Sequence, residues 1–212
     1  MQTDIIKVAG KEDGREAVLS EAEKFASYVG LDSRSAMRLR LIAEETLGLV
    51  NAIAGDFSAD FWIEKEKDEP CAVHLKVKTD MDQAKKQEFI EASTDRKNDA
   101  AKGIMGKIRE IIENGLYSID ETGKLQAEYG GGPVVYGSMG MCNVDSAIAG
   151  SGAYIWSLQR YRESVEAEKD RTAAVEEAWD ELEKSVIANI ADDVRVSISG
   201  SKVEMIIEKK FD

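Results

Sequence analysis

Two regions far apart in the chain alternate apolar and polar residues with a period of two, and they constrain the fold most. In the first region, Cys71, Val73, Leu75 and Val77 alternate with small or polar residues. Residues 194–207 repeat this alternation on both sides of a Ser-Gly-Ser turn, which predicts a hairpin. A strand with one apolar face must bury that face against another layer. The sequence therefore predicts a sheet that is covered on one side.

The covering layer is predicted from helical periodicity, in which apolar residues recur at spacings of three and four. Helical segments of this kind are residues 12–29, 33–54, 99–113 and 145–190. Gly30 stands where a C-terminal cap belongs, and Asp32 or Ser33 can cap the next helix. The last segment is too long for an average helix, so either two helices join near residues 169–172 or one helix projects.

The order of these elements indicates the fold class. A strand at residues 4–9 opens the chain and two helices follow, before a strand pair at 60–66 and 71–78. More helices and the final hairpin complete the order. We therefore predict an α+β fold, a two-layer sandwich with helices packed on one face of a mixed, mostly antiparallel sheet. The length suits one domain, residues 1–212.

Composition excludes several functions. The 28 basic and 41 acidic residues leave a net charge of −13, which phosphate backbones repel, so we expect no nucleic-acid partner. One His and two distant Cys do not provide a metal-ligand set, and so few cysteines favour a reducing, cytoplasmic location. The first residues do not have the pattern of a secretory signal, so we expect none, and no run of about 18 apolar residues predicts a membrane span.

The second helical segment contains a carboxylate in an unexpected place. Successive helical residues lie about 100° apart, which puts Glu45 inside an apolar arc and Arg38 on the same side. A carboxylate that faces a core must be paired, hydrated or functional, so an Arg38–Glu45 ion pair and a functional role both stay open. The arc consists of Leu41, Ile42, Leu49, Ala52 and Ile53, and the opposite side of Arg40, Glu44 and Asn51.

Residues 38–53 (RLRLIAEETLGLVNAI) resemble the first motif of the GHKL ATPases, which include histidine-kinase ATP-binding domains, anti-sigma serine kinases and gyrase. In that family, a Glu on this helix activates water or a hydroxyl, and an Asn four residues later binds magnesium. Glu45 matches the Glu, whereas Leu49 stands at the Asn position. The resemblance thus implies a catalytic Glu45 and ATP as cofactor, in a motif that lacks its magnesium ligand.

The family's second motif is a strand that ends in an Asp, which reads the adenine amino group, followed by glycines. Asp80 follows the strand at 71–78 and matches this Asp, although no Gly comes after it. An ordinary strand-end or helix-capping Asp explains the same position. The resemblance implies an adenine-binding role for Asp80.

The family's third motif is a Gly-rich turn that opens a helix, where free backbone N–H groups and the helix dipole favour an anion. Residues 100–108 (AAKGIMGKI) resemble it. The implied phosphate-binding residues are Lys102, Gly103, Gly106 and Lys107. Small residues spaced for tight helix packing are the alternative explanation of the two glycines.

The resemblance covers residues 1–115 and 180–212 and implies the histidine-kinase-like ATPase fold, with an inserted helical segment at about 116–179. The aromatic residues of this insertion, such as Trp156 and Tyr161, are predicted to pack in the core or against a partner. His74 lies on the polar side of its strand and is predicted to be exposed. As the single His, it also excludes a histidine kinase that phosphorylates itself.

Two functions follow. The resemblance implies an ATP-binding regulatory protein similar to anti-sigma serine kinases, with weak or lost catalysis because Leu49 replaces the magnesium ligand. The alternative is a non-catalytic protein-interaction module that keeps the fold without binding nucleotide and docks a partner through a helix at 145–168. The expected partners are another protein or a second copy of the chain, with no membrane.

Overall fold

The computed structural model describes residues 1–9, 14–52, 57–79, 104, 106–108, 111–112, 154–168, 172–199 and 202–211. In chain order its named elements are β1 (Ile6–Ala9), α1 (Arg15–Tyr28), α2 (Ser33–Ala52), β2 (Phe57–Lys65), β3 (Cys71–Thr79), β4 (Tyr154–Ser157), α3 (Leu158–Ala167), α4 (Ala173–Lys184), α5 (Val186–Ile190), β5 (Asp193–Ser199) and β6 (Lys202–Lys209). The described residues between 104 and 112 are helical as well, and we refer to them as the 104–112 segment.

The strands form one six-stranded sheet in the order β1-β2-β3-β6-β5-β4. Every pairing among these strands is antiparallel. The predicted α+β class and the two predicted hairpins, β2–β3 and β5–β6, are confirmed. The sheet was expected to be mixed, and the described strands differ in this respect because the two hairpins join through β3 and β6 in the antiparallel sense.

One continuous row of apolar side chains crosses the sheet on its covered face. Phe61 lies opposite Leu75, Leu75 opposite Met205, and Met205 opposite Val196. Trp156 on β4 continues the row at the far edge, and all five side chains are buried. The period-two pattern in the sequence therefore describes the core face of the sheet correctly, because side chains on a strand alternate between its two faces.

Helices α1 and α2 form a hairpin over this face. Gly30 has a φ of 74°, in the left-handed region that favours glycine, so its predicted role at the end of α1 is confirmed. Asp32 begins α2, since its Oδ1 accepts a hydrogen bond of 2.7 Å from the backbone N–H of Ser35. The buried residues of α1 are Val18, Leu19, Ala22, Phe25 and Ala26.

The prediction of helix throughout 145–190 is wrong where its described part begins. Residues 154–157 form strand β4, which pairs with β5 at the sheet edge. Ser157 ends this strand and begins α3, because its Oγ accepts a hydrogen bond of 3.3 Å from the N–H of Arg160. The predicted break near 169–172 is confirmed, with α3 before it and α4 after it. The described part of the predicted insertion thus contributes a strand and helices to the same sheet and core.

The central row can be tested by truncation. Phe61→Ala should lower the free energy of unfolding by about 3–5 kcal/mol, because it leaves a cavity in the middle of the core. Met37→Ala is the control, since Met37 is 65% exposed, and its effect should stay within about 0.5 kcal/mol. Urea denaturation measures both values. Equal losses in the two variants would contradict this description of the core.

Candidate functional site

Helix α2 is attached to α1 along one side by ion pairs. The guanidinium of Arg15 pairs with Glu44, and that of Arg40 pairs with Glu23. Arg40 and Glu44 thus lie together on the side of α2 that faces α1, away from the center of the core. Glu45 follows Glu44 by about 100° around the helix. It therefore points away from this ion-paired side.

The core face of α2 is not the arc that the sequence predicted. Its buried residues include Leu39, Ile42, Ala43 and Thr46, whose hydroxyl donates a 2.7 Å hydrogen bond to the carbonyl of Ile42. Leu41, which was expected to be part of the arc, is only half-buried. The helix has apolar residues nearly all round, so periodicity alone did not define which of them face the sheet. Glu45 therefore lies at the flank of the core face and not within it.

Glu45 is half-buried, and its carboxylate has no partner among the described residues. In the part of the chain that the structure describes, no hydrogen bond or ion pair reaches its carboxylate, and the alternative Arg38–Glu45 ion pair does not form. Burial raises the pKa of Glu45, and the negative charge of Glu44 raises it further. A carboxylate in this state is available to accept a proton or to bind a ligand.

Of the predicted phosphate-binding residues, Gly106 and Lys107 are described. Ile104, two positions earlier, is already helical, so Gly106 lies inside a helix and not in the turn before one. Ile104 and Ile108 are fully buried and attach the 104–112 segment to the core. Tight packing of a small residue, the alternative explanation of Gly106, agrees with this position.

The ammonium group of Lys107 lies over the ring of Tyr161, with Nζ 5.1 Å from the ring centroid. Tyr161 lies on α3, is 5% exposed, and packs against Trp156 with ring centroids 6.1 Å apart. Its hydroxyl is buried without a close hydrogen-bond partner among the described residues, but the side chains of Lys107 and Glu181 lie near enough to interact with it. Burial raises the pKa of Tyr161, the charge of Lys107 opposes this shift, and that of Glu181 adds to it.

The structure thus brings Lys107 together with Tyr161 and Glu181. Among the described residues, no hydrogen bond or ion pair joins Glu45 to Gly106 or Lys107. The remaining predicted site residues, Asp80, Lys102 and Gly103, lie outside the described residues. The predicted packing role of Trp156 and Tyr161 is confirmed, whereas the sequence gave no indication that Tyr161 meets Lys107.

His74 was predicted to be exposed, and this is wrong. It is 7% exposed, because Trp62 lies directly opposite on β2 and stacks on it, with centroids 4.6 Å apart and an interplanar angle of 7°. Its Nε2 is 2.9 Å from Oε1 of Glu64, and its Nδ1 is buried without a partner in the described part of the chain. The ring of Trp62 thus buries His74 although the face of the sheet on which both lie is otherwise polar.

Other kinds of site find little support in the described ranges. No group of three or more His, Cys, Asp and Glu residues there is placed to hold a metal ion. No helix there is long and apolar enough to cross a membrane. Cys71 is buried in the core as predicted, and burial raises the pKa of its thiol to about 12, so it is not a thiolate nucleophile at neutral pH.

Comparisons with protein-family models, with curated proteins and with solved structures find no match to this chain.

The state of Glu45 makes stability depend on pH. Because its pKa is raised, the folded protein binds this proton more tightly than the unfolded chain does. Its contribution to the free energy of unfolding therefore falls as pH rises from 4.5, the ordinary value, through the folded pKa. Glu45→Gln removes this loss, so the stability of the variant relative to the natural chain should rise over the same pH window. Urea denaturation at several pH values measures the difference.

Glu44→Gln is the matched control for this measurement. It removes the charge that raises the pKa of Glu45, and it also removes the exposed ion pair with Arg15. The pH-dependent loss should become smaller in this variant but should not disappear, because burial remains the larger cause. A difference between Glu45→Gln and the natural chain that does not change with pH would contradict the raised pKa.

Proposed function

We propose that the chain is an ATP-binding regulatory protein, similar to anti-sigma serine kinases, in which catalysis is weak or lost. The observation that carries this proposal is the difference between two adjacent glutamates. Glu44 is neutralised by Arg15, whereas Glu45 has no partner among the described residues and lies half-buried on the flank of α2. The element order, with two helices after the first strand and helices on one face of an antiparallel sheet, is compatible with the family that the sequence resembles.

Each residue of the proposed site has a chemical role. Glu45 accepts a proton from the attacking water or hydroxyl, which a carboxylate with a raised pKa does more readily than an ordinary one. Asp80 accepts a hydrogen bond from the adenine amino group. Lys102 and Lys107 supply positive charge to the phosphates, and Gly103 allows the backbone to approach them, whereas Gly106 lies inside the helix.

The residues fit ATP better than they fit magnesium. The ammonium of Lys107 is a group that binds phosphates, and the carboxylate of Glu45 supplies the general base rather than a contact to the nucleotide. Leu49 has no oxygen atom in its side chain and stands where the family places the magnesium ligand. The absence of that ligand is the physical reason for proposing weak or lost phosphoryl transfer.

The second candidate is a protein-interaction module that does not bind nucleotide. Helix α3, part of the segment first proposed to dock a partner, buries Leu158, Tyr161 and Val165 and so has no free apolar face. Trp179 on α4 is 39% exposed and favours a docking role for the α4–α5 region instead, since exposed aromatic residues are common at interfaces. If the chain is such a module, the raised pKa of Glu45 has no role in catalysis.

Thermal and urea unfolding with ATP separates the two candidates. A ligand at about 100 times its dissociation constant adds about 2.7 kcal/mol to the free energy of unfolding. We expect such a stabilisation with ATP, and of similar size with and without magnesium because Leu49 is no ligand. Asp80→Asn should abolish it, and Glu45→Gln should retain it while lowering any residual hydrolysis. Absence of stabilisation at millimolar ATP would contradict the first candidate and support the second.

A further inference from the structure

Four large apolar side chains are exposed on the helices of the described part of the chain. Tyr28 (76% exposed) ends α1, Met37 (65%) lies on α2, Trp179 (39%) on α4, and Val186 (46%) on α5. Single exposed apolar residues are common on proteins, whereas apolar side chains grouped with polar ones mark contact sites. These four fall into two pairs, and the charged neighbours of the two pairs have opposite signs.

The first pair lies beside two arginines, where α1 ends and α2 begins. Arg34 is three positions before Met37 on α2, and Arg38 follows Met37 directly. Neither guanidinium forms an ion pair with a described residue. Asp32, whose charge acts on both guanidinium groups, uses its carboxylate to cap α2. We refer to Tyr28, Arg34, Met37 and Arg38 as the basic patch.

The second pair lies in an acidic environment. Helix α4 contains five acidic residues and one Lys, which gives it a net charge of −4. Glu176 and Glu183 stand three positions before and four positions after Trp179, so they lie on its side of the helix. Both are exposed and form no ion pair with a described residue. We refer to Glu176, Trp179, Glu183 and Val186 as the acidic patch.

Both patches belong to the helical layer that covers the sheet. Helix α2 contacts α5, and both helices bury residues in the same core, among them Ile42 and Ile187. The exposed sides of these helices therefore carry a basic part and an acidic part on one layer. Such a surface is complementary to itself, because a two-fold axis can bring the basic patch of each copy against the acidic patch of the other.

We propose that this surface is the interface of a homodimer, in which the basic patch of each copy binds the acidic patch of the other. The proposal goes beyond ATP binding and does not depend on it. The apolar side chains supply the buried area, and the unpaired charges fix the orientation, because other orientations place like charges together. The net charge of −13 repels a second copy, but at about 0.15 M salt this repulsion is screened beyond about 8 Å, so direct contacts decide.

Reversal of one charge on each patch tests the arrangement. Arg34→Glu and Glu183→Lys both follow the preference of the helix dipole at their positions, so both variants should fold. Each variant alone creates a repulsive contact on both sides of the two-fold axis, and its dissociation constant should rise by roughly tenfold or more. In an equimolar mixture, opposite charges face each other again in both contacts, so the affinity of the natural chain should return. Sedimentation equilibrium measures every sample.

Glu177→Lys is the matched control. It makes the same charge change on the same helix at an exposed residue, but it lies about 160° around the helix from Trp179 and should leave the dissociation constant unchanged. Trp179→Ala should raise the dissociation constant by roughly tenfold, as removal of an aromatic residue from the center of an interface does. Because dimerisation stabilises the folded chain, the unfolding experiments described above are performed well below the dissociation constant.

Several results would overturn the proposal. One is a natural chain that stays monomeric at its highest soluble concentration. If such a monomer binds a peptide of alternating Lys and Leu, the acidic patch belongs to another partner. Another is a mixture of Arg34→Glu and Glu183→Lys that dissociates as readily as its components, or a Glu177→Lys dimer weakened as much as the Glu183→Lys dimer.

Neutral variants keep the test valid if circular dichroism shows that a reversed variant does not fold. Arg34→Ala and Glu183→Ala each remove one charge without adding another, and alanine favours a helix. Each should raise the dissociation constant of the dimer by roughly threefold, because every charge is lost from two symmetric contacts. An unchanged dissociation constant in both variants would overturn the proposed interface.

Discussion

Burial of one face of the antiparallel sheet is the constraint on which the rest of the structure depends. The row from Phe61 through Leu75 and Met205 to Val196 crosses four strands that come from two hairpins more than 100 residues apart in the chain. These side chains leave water only if helices cover them, and this burial is the main favourable contribution to folding. Helices α1 and α2, the 104–112 segment and α3 all contribute to the same core. Each candidate site residue that is described projects from one of these covering elements.

Helix α2 makes two kinds of contact. Its core face packs on the sheet. The side of α2 that carries Arg40 and Glu44 is joined to α1 by the Arg15–Glu44 and Arg40–Glu23 ion pairs. The flank with Leu41 and Glu45 is not needed for either contact and remains half-buried. Partial burial without a partner destabilises the charged form of a carboxylate. Carboxylates in such an environment are found most often at functional sites. The proposed nucleotide site accounts for Glu45 in this way.

Strand and helix positions followed from the sequence where one pattern dominated locally. The alternation at Cys71–Val77 and the capping by Gly30 and Asp32 were sufficient, because each depends on neighbouring residues alone. Prediction failed where tertiary neighbours decide. The strand at 154–157 forms because β5 offers it an edge, and His74 is buried because Trp62 lies across from it. Likewise, Lys107 meets Tyr161 only because the fold brings together residues that are 54 positions apart.

In the proposed function, the flank of α2 and the 104–112 segment would together form one nucleotide site. A crystal structure of the chain with a non-hydrolysable ATP analogue tests this claim most directly. We expect Asp80 to contact the adenine, Gly103 and Lys107 to contact the phosphates, and Glu45 to face the terminal phosphate. An analogue bound elsewhere, or one bound with Glu45 and Lys107 on separate surfaces, would contradict it.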